Sequence, residues 1–354
     1  MAHGDMTLKW DGSCLKLIDQ RKLPFREEYV DCAQAGGVAA AIRDMVVRGA
    51  PAIGVSAAYG IVLAAKAYSG DSKDEFMSII RQASSQLAAS RPTAVNLFWA
   101  LERMEKVVSE NRDEDIEKIK GLLEAEAKNI EAQDIEINKK IGENGSKVLR
   151  GLAGKSLRLL THCNAGGLAT AGYGTALGVI QSLHEKGAVK EVLVDETRPY
   201  LQGARLTAWE LYRLGIQAFV IADNMAAHFM SKGSVDAVIV GADRIAKNGD
   251  TANKIGTLGL SILAGYFKIP FFVAAPLSTI DISIAGGSDI PIEERPQEEL
   301  RKVMGKAIIP DYIRVRNPSF DVTPNGNITG IITEAGVAYP PYTESIIKFR
   351  EELK

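Results

Sequence analysis

The sequence predicts an α/β protein, with a mainly helical N-terminal domain carrying short strands and a C-terminal domain built on a parallel sheet. Three observations predict it. Helical apolar patterns dominate the first part of the chain, the rest alternates continuous apolar runs with helix-like segments, and 354 residues suit roughly two domains. The expected domains are residues 1–144, including a helical connector, and residues 145–354.

Composition narrows the class. Hydrophobic residues at 46% and charged residues at 24% are ordinary for a globular chain and exclude a disordered or collagen-like one. Lys plus Arg (42) against Asp plus Glu (44) leaves a net charge of −2, so no overall field draws the chain to nucleic acid or an anionic membrane. Any anion site is therefore local. The three cysteines, Cys14, Cys32 and Cys163, are widely spaced and form no C-x-x-C pair, so neither a disulfide framework nor a zinc site is expected. Asp5, Lys9 and Asp11 interrupt the N-terminus before an apolar run forms, so no secretory signal is expected and a reducing cytoplasm fits.

Strand-like pieces at 8–10 and 15–19 open the chain, and helical patterns follow from Cys32 to about Asn144. The uncharged stretch between Arg48 and Lys66 is rich in Gly and Ala and falls short of the roughly 20 residues a membrane span needs, which makes it a buried helix. Pro51 and Pro92 each sit just inside a helix start, where a missing N–H costs nothing. Between Glu102 and Glu143, Glu and Lys interleave around Ile116, Ile119, Leu122 and Leu123, as in long amphipathic helices with a solvated face.

From there the texture changes. Apolar runs at 157–160, 191–194, 218–221, 237–240 and 271–274 read as strands buried on both faces. With helix-like segments such as 207–214 between them, they form the βαβ pattern of a Rossmann-like parallel sheet. The turn-rich tail at 317–330 closes this domain.

In such a sheet, ligands bind beyond the carboxyl ends of the strands, so the polar residues ending each run carry the information. Those residues are Thr161, His162, Cys163 and Asn164; Asp195, Glu196, Thr197 and Arg198; Asp223 and Asn224; and Asp243 and Arg244. A dinucleotide site is disfavoured, because Gly172 and Gly174 have G-x-G spacing but Leu177 stands where the third glycine belongs. A Cys163–His162 hydrolytic dyad is geometrically poor, since adjacent strand residues point to opposite faces. Cys163 remains open between a buried small hydrophobe and a thiol activated by a following helix N-terminus. His228 reads as structural. Asp243 remains open between a carboxyl whose pKa is raised by apolar surroundings and a helix N-cap. Arg48, Gly49, Ala50 and Pro51 suit an anion through a guanidinium, a close backbone approach and a helix start. Ser90, Arg91 and Pro92 repeat the arrangement, and Asn253 with Lys254 adds an amide and an ammonium.

Several longer motifs are specific. They are R-G-A-P-A-I-G at 48–54, T-H-C-N-A-G-G-L-A-T at 161–170, D-E-T-R-P-Y-L-Q-G-A-R at 195–205, G-A-D-R-I at 241–245, N-G-D-T-A-N-K-I-G at 248–256 and F-D-V-T-P at 320–324. With them the chain resembles the methylthioribose-1-phosphate isomerases of methionine salvage, over nearly its whole length. The wider family includes ribose-1,5-bisphosphate isomerases and regulatory subunits of a translation initiation factor.

The resemblance implies that Asp243 is the proton donor and that Cys163 stabilises the transition state or moves a proton. It implies substrate binding by Arg48, Gly49, Ala50, Arg91, Gln202, Asn253 and Lys254, and a homodimer. The expected partner is a sugar phosphate, with no nucleic acid or membrane, and the chemistry requires no metal or nicotinamide. A phosphate ester on the anomeric carbon blocks ordinary ring opening, so an acid must assist it. A water-poor pocket would strengthen both groups. Alternative readings are isomerisation of ribose 1,5-bisphosphate or 5-deoxyribose 1-phosphate, or, from another class, a non-catalytic translation-factor subunit needing neither Cys163 nor Asp243.

Overall fold

The computed structural model describes residues 7–91, 95–153 and 156–352. The chain divides into two compact units, residues 1–137 with 166–174, and residues 138–165 with 175–354.

In the first unit, β1 (Leu8–Trp10), β2 (Leu15–Ile18) and β3 (Tyr29–Cys32) form an antiparallel sheet. The helical expectation began at Cys32 and passed over β3. That strand is short and largely exposed, and its pairing with β2 defines it more than its own composition does. Helices α1 (Ala35–Arg43), α2 (Ala50–Ala67), α3 (Lys73–Ala88), α4 (Val95–Glu110) and the long α5 (Ile116–Ala153), whose residues from 138 on belong to the second unit, follow. Helix α2 is long and apolar enough by composition to cross a membrane. It is instead a core helix of this unit, with every residue from 52 to 65 buried. Pro51 lies in its first turn as expected, while Pro92 lies outside the described residues. Along α5, Ile119, Leu123, Ala127 and Ile130 recur at helical spacing and are buried, which accounts for its amphipathic pattern.

The 166–174 segment belongs to this unit through specific bonds. The Thr7 hydroxyl donates to the Gly167 carbonyl (2.6 Å), Gln20 Nε2 donates to the Leu168 carbonyl (2.7 Å), and the Ala171 N–H donates to Asp134 Oδ2 (2.7 Å). Gly49, at φ +94°, lies so close to this segment that a Cβ there would come 2.3 Å from the Ala169 carbonyl oxygen.

The second unit carries β4 (Leu157–His162), α6 (Ala176–Glu185), β5 (Val189–Asp195), α7 (Ala208–Arg213), β6 (Ala218–Ile221), α8 (Ala226–Ser231) and β7 (Ala237–Val240). It continues through β8 (Arg244–Ala246), β9 (Thr251–Lys254), α9 (Thr257–Tyr266), β10 (Phe271–Ala274) and β11 (Ile280–Asp281). The remaining elements are α10 (Glu298–Arg301), β12 (Lys302–Val303), β13 (Lys306–Ala307), β14 (Phe320–Thr323), β15 (Gly330–Thr333), β16 (Gly336–Ala338) and α11 (Tyr342–Glu352).

The main sheet has seven strands in the order β16-β15-β10-β7-β4-β5-β6, parallel except for the antiparallel edge strand β16. The order runs outward from β4 in both directions, the doubly wound arrangement of a Rossmann-like fold, with its switch point between β4 and β7. The central strands β7 and β10 are wholly buried, as continuous apolar runs require. The expectation of two-sided burial fails at β6. It is an edge strand, and Phe219 and Val220 are exposed. A smaller sheet, β11-β8-β9-β14, was not anticipated from the sequence.

Gly203 shows how tightly the connection after β5 is packed, because a Cβ there would lie 1.6 Å from the Asp195 carbonyl oxygen. Gly187, at φ +67°, has open space where a Cβ would sit. Gly203→Ala should therefore cost about 3 kcal/mol of unfolding free energy through overpacking. Gly187→Ala should cost about 1–2 kcal/mol, from the left-handed backbone alone. Urea unfolding of the two variants checks this, and equal losses would contradict it.

Candidate active site

The strands of the second unit deliver its candidate residues to one edge. β4 and β7 are parallel neighbours, with Leu159 opposite Ala237 and Leu160 opposite Val238. The chain leaves β4 through Cys163 and leaves β7 through Gly241, Ala242 and Asp243, so both residues emerge at the carboxyl ends of the two strands that flank the switch point.

Hydrogen bonds tie both ends to the β9 segment. The Asp243 N–H donates to the Ala252 carbonyl (2.9 Å), and His162 Nε2 donates to the Ile255 carbonyl (2.9 Å). Asn253 and Lys254 lie between these two anchor points. Asn253 is buried and donates from Nδ2 to Thr257 Oγ1 (3.0 Å). Lys254 is half-buried, donates to the Ser319 carbonyl (3.0 Å) and lies 4.5 Å over the Phe320 ring. Opposite Asn253 on β14, Asp321 accepts from the Gly256 and Leu258 N–H groups at 2.7 and 3.0 Å, which fixes the start of α9. Burial raises the Asp321 carboxyl, and those two backbone bonds oppose the rise.

Gln202 follows β5 and is buried, and its Oε1 accepts no hydrogen bond among the described residues. Arg48, Gly49, Ala50 and Arg91 lie in the first unit. Gly49 caps α2, Ala50 opens it, and Arg48 is half-buried just before it. Arg91 is half-buried.

Three expectations change. Asp243 is exposed, because the apolar residues before it belong to the buried strand β7 while Asp243 itself lies in the loop beyond. The protein's own packing therefore leaves this carboxyl open to solvent. Nor is Asp243 a helix N-cap, since strand β8 follows it directly. For Cys163, no α-helix opens immediately afterwards. The chain first supplies residues 166–174 to the other unit, and α6 begins only at Ala176, so the helix-dipole argument for a thiolate loses its helix.

The rejection of a Cys163–His162 dyad holds. His162 is buried with both ring nitrogens engaged, Nδ1 with Asp195 Oδ2 at 2.9 Å and Nε2 with Ile255. A carbonyl only accepts, so Nε2 carries a proton, and the Nδ1–Oδ2 contact shares a second one. Burial pushes Asp195 up to about 6, against the pull of His162. For His162, burial works against the imidazolium, but the bond to Asp195, the charges of Asp195 and Asp223 and the bond to the Ile255 carbonyl together outweigh it, and the ring pKa is raised. Donor atoms of His162, Asp195 and Asp223 lie within 4.8 Å of one another, a spacing that could hold a cation. In this structure His162 bonds Asp195, and Asp223 Oδ1 accepts from the Thr197 N–H at 2.8 Å.

Residues 46–340 match the model of the initiation factor 2 subunit family. The chain belongs to this family. Among its relatives in the family, methylthioribose-1-phosphate isomerase from Thermotoga maritima is 56% identical over 345 residues, which cover 98% of each chain. The crystal structure of 5-methylthioribose 1-phosphate isomerase from Pyrococcus horikoshii OT3 superposes with a TM-score of 0.93 at 46% identity, covering 98% of this chain and 96% of that one. A crystal structure from A. fulgidus, described as translation initiation factor eIF-2B subunit delta, superposes with a TM-score of 0.88 at 44% identity and covers 98% and 99% of the two chains. One protein family and one fold thus carry both descriptions.

Sequence reasoning passed over His162 as the buried partner of Asp195. The signal was present, because both residues end runs that pair in the sheet, with His162 opposite Asp195. Both of their pKa values are raised, so this pair binds more protons in the folded chain than in the unfolded one. The stability contributed by Asp195 is complete below 3.8 and is lost as pH rises through about 6. The contribution of His162 is complete below 6.5 and is lost above it. The difference in unfolding free energy between the chain and Asp195→Asn should therefore shrink as pH rises from about 4 to about 8. Denaturant titrations across that range check the sign, and a growing difference would contradict it.

Proposed function

We propose that the chain is an aldose–ketose isomerase converting 5-methylthioribose 1-phosphate into 5-methylthioribulose 1-phosphate in methionine salvage. The observation carrying this reading is the full-length identity, 56% to the Thermotoga maritima isomerase. Cys163 and Asp243 at adjacent strand ends beside the sheet's switch point support the assignment of roles.

In the proposed mechanism Asp243 donates a proton to the ring oxygen as the bond from that oxygen to the anomeric carbon breaks. The hydrogen on C2 then moves to C1, and the C2 hydroxyl becomes the ketone by releasing its proton, which balances the one Asp243 gave to the ring oxygen, with Cys163 assisting the transfer. Because Asp243 is exposed, its proton is held by substrate covering the carboxyl rather than by the protein's own burial. Binding falls to Arg48, Gly49, Ala50, Arg91, Gln202, Asn253 and Lys254. Gly49 and Ala50 open helix α2, whose N-terminus favours an anion. Gln202 Oε1 is an acceptor suited to a sugar hydroxyl. We further propose that the enzyme acts as a homodimer in the cytoplasm. The A. fulgidus description favours a translation-factor subunit as the second reading, and such a subunit needs neither Cys163 nor Asp243.

Asp243→Asn and Cys163→Ser should each lower kcat for 5-methylthioribose 1-phosphate by about 10²–10⁴-fold, the usual worth of a positioned proton-transfer group. Near-parental turnover by either variant overturns its role. No turnover by the unmodified chain, or preference for ribose 1,5-bisphosphate or 5-deoxyribose 1-phosphate, overturns the substrate. Deuterium from solvent appearing at C1 supports proton transfer, and full retention of the C2 hydrogen supports hydride transfer.

A further inference from the structure

Cys163 leaves strand β4 in a conformation that an L residue adopts at a cost. Its φ is +62°, in the left-handed region, and Thr197, which touches it, has a φ of +63°. A β-branched residue there is a marked outlier. Such conformations persist where the surroundings over-determine them, and they concentrate at functional sites.

The determinants around Cys163 are two buried hydroxyls. The Cys163 N–H donates to Thr197 Oγ1 at 2.9 Å, and that hydroxyl passes its own proton to the Asp195 carbonyl at 2.9 Å. The Thr197 N–H is in turn held by Asp223 Oδ1 at 2.8 Å. On the other side of the residue, the Thr207 hydroxyl donates to the Cys163 carbonyl at 2.6 Å. Asn164 Nδ2 donates to Thr207 Oγ1 at 3.1 Å and to Glu210 Oε1 at 2.7 Å, which fixes the direction of the Thr207 proton. Both threonines are fully buried, so water does not substitute for either hydroxyl.

We propose that Thr197 and Thr207 are positioning residues that clamp the backbone of Cys163 on both sides and so set the direction of its thiol. A strand continued through Cys163 in extended form would send that side chain along the sheet's alternating pattern. The left-handed turn re-aims it, and the two hydroxyls keep the turn from relaxing. The proposal rests on the reading of Cys163 as the group that assists hydrogen transfer.

Thr197→Val keeps the shape of the side chain and removes both of its hydrogen bonds, whereas Thr197→Ser keeps the hydroxyl. The valine variant should lose about ten- to a hundred-fold in kcat, the worth of one to two hydrogen bonds at the reacting centre. Its KM should stay within about threefold, and Thr197→Ser should restore kcat to within about threefold of the parent. The rate at which iodoacetamide labels the Cys163 peptide, read by mass spectrometry, should change in the valine variant and not in the serine one. Parental kcat and labelling in a folded Thr197→Val chain overturn the clamp, as does a loss that serine does not relieve. If Cys163→Ser itself retains turnover, the catalytic reading fails, while labelling still tests the clamp separately. Where Thr197→Val does not fold, Thr207→Val should give the same drop in kcat, and in the unmodified chain the Cys163 amide should exchange slowly with deuterium. An unprotected amide overturns the clamp.

Discussion

The parallel pairing of β4 with β7 is the constraint on which the second unit turns. Leu160 opposite Val238 fixes where each strand stops relative to the other, and the sheet on either side is wound outward from that pair. A one-residue slip would invert every buried side chain along the strand, so core packing and the position of the strand ends are specified together. The apolar side chains of β7 and β10 therefore do two things at once. They are buried, and they set the places at which the chain may become polar.

The fold was legible where the sequence carries uninterrupted apolar runs. The runs at 237–240 and 271–274 announce themselves because burial on both faces leaves no polar alternation, and the run at 157–160 does so despite its half-buried Arg158. β6 carries the same kind of run at an edge, and an apolar run does not say on which side of a sheet it will lie. The small sheet β11-β8-β9-β14 was not legible, since its strands have two to four residues and, apart from the β8–β9 hairpin, pair with partners distant in the chain.

Cys163 and Asp243 were singled out by a different route, because residues that follow buried strands stand out against what precedes them. Their surroundings were not legible. Asp243 follows four buried residues of β7 yet is exposed, so an apolar prefix misstates the environment of the residue just beyond it. Thr197 and Thr207 meet Cys163 from 34 and 44 positions away, and no local pattern marks a hydroxyl that will bond a distant backbone. The His162–Asp195 contact is intermediate, since it could be found only after the two strands were placed in register.

Between β4 and α6 the chain lends residues 166–174 to the first unit and then returns. Because Gly167, Leu168 and Ala171 bond Thr7, Gln20 and Asp134, the first unit is not a contiguous stretch of sequence that could be cut out whole. A fragment ending near residue 137 would lack the strip that closes it, and one beginning there would carry that strip with nothing to receive it. The two halves are inseparable as genetic modules even though each has its own interior, and recombination that shuffles one without the other would break both.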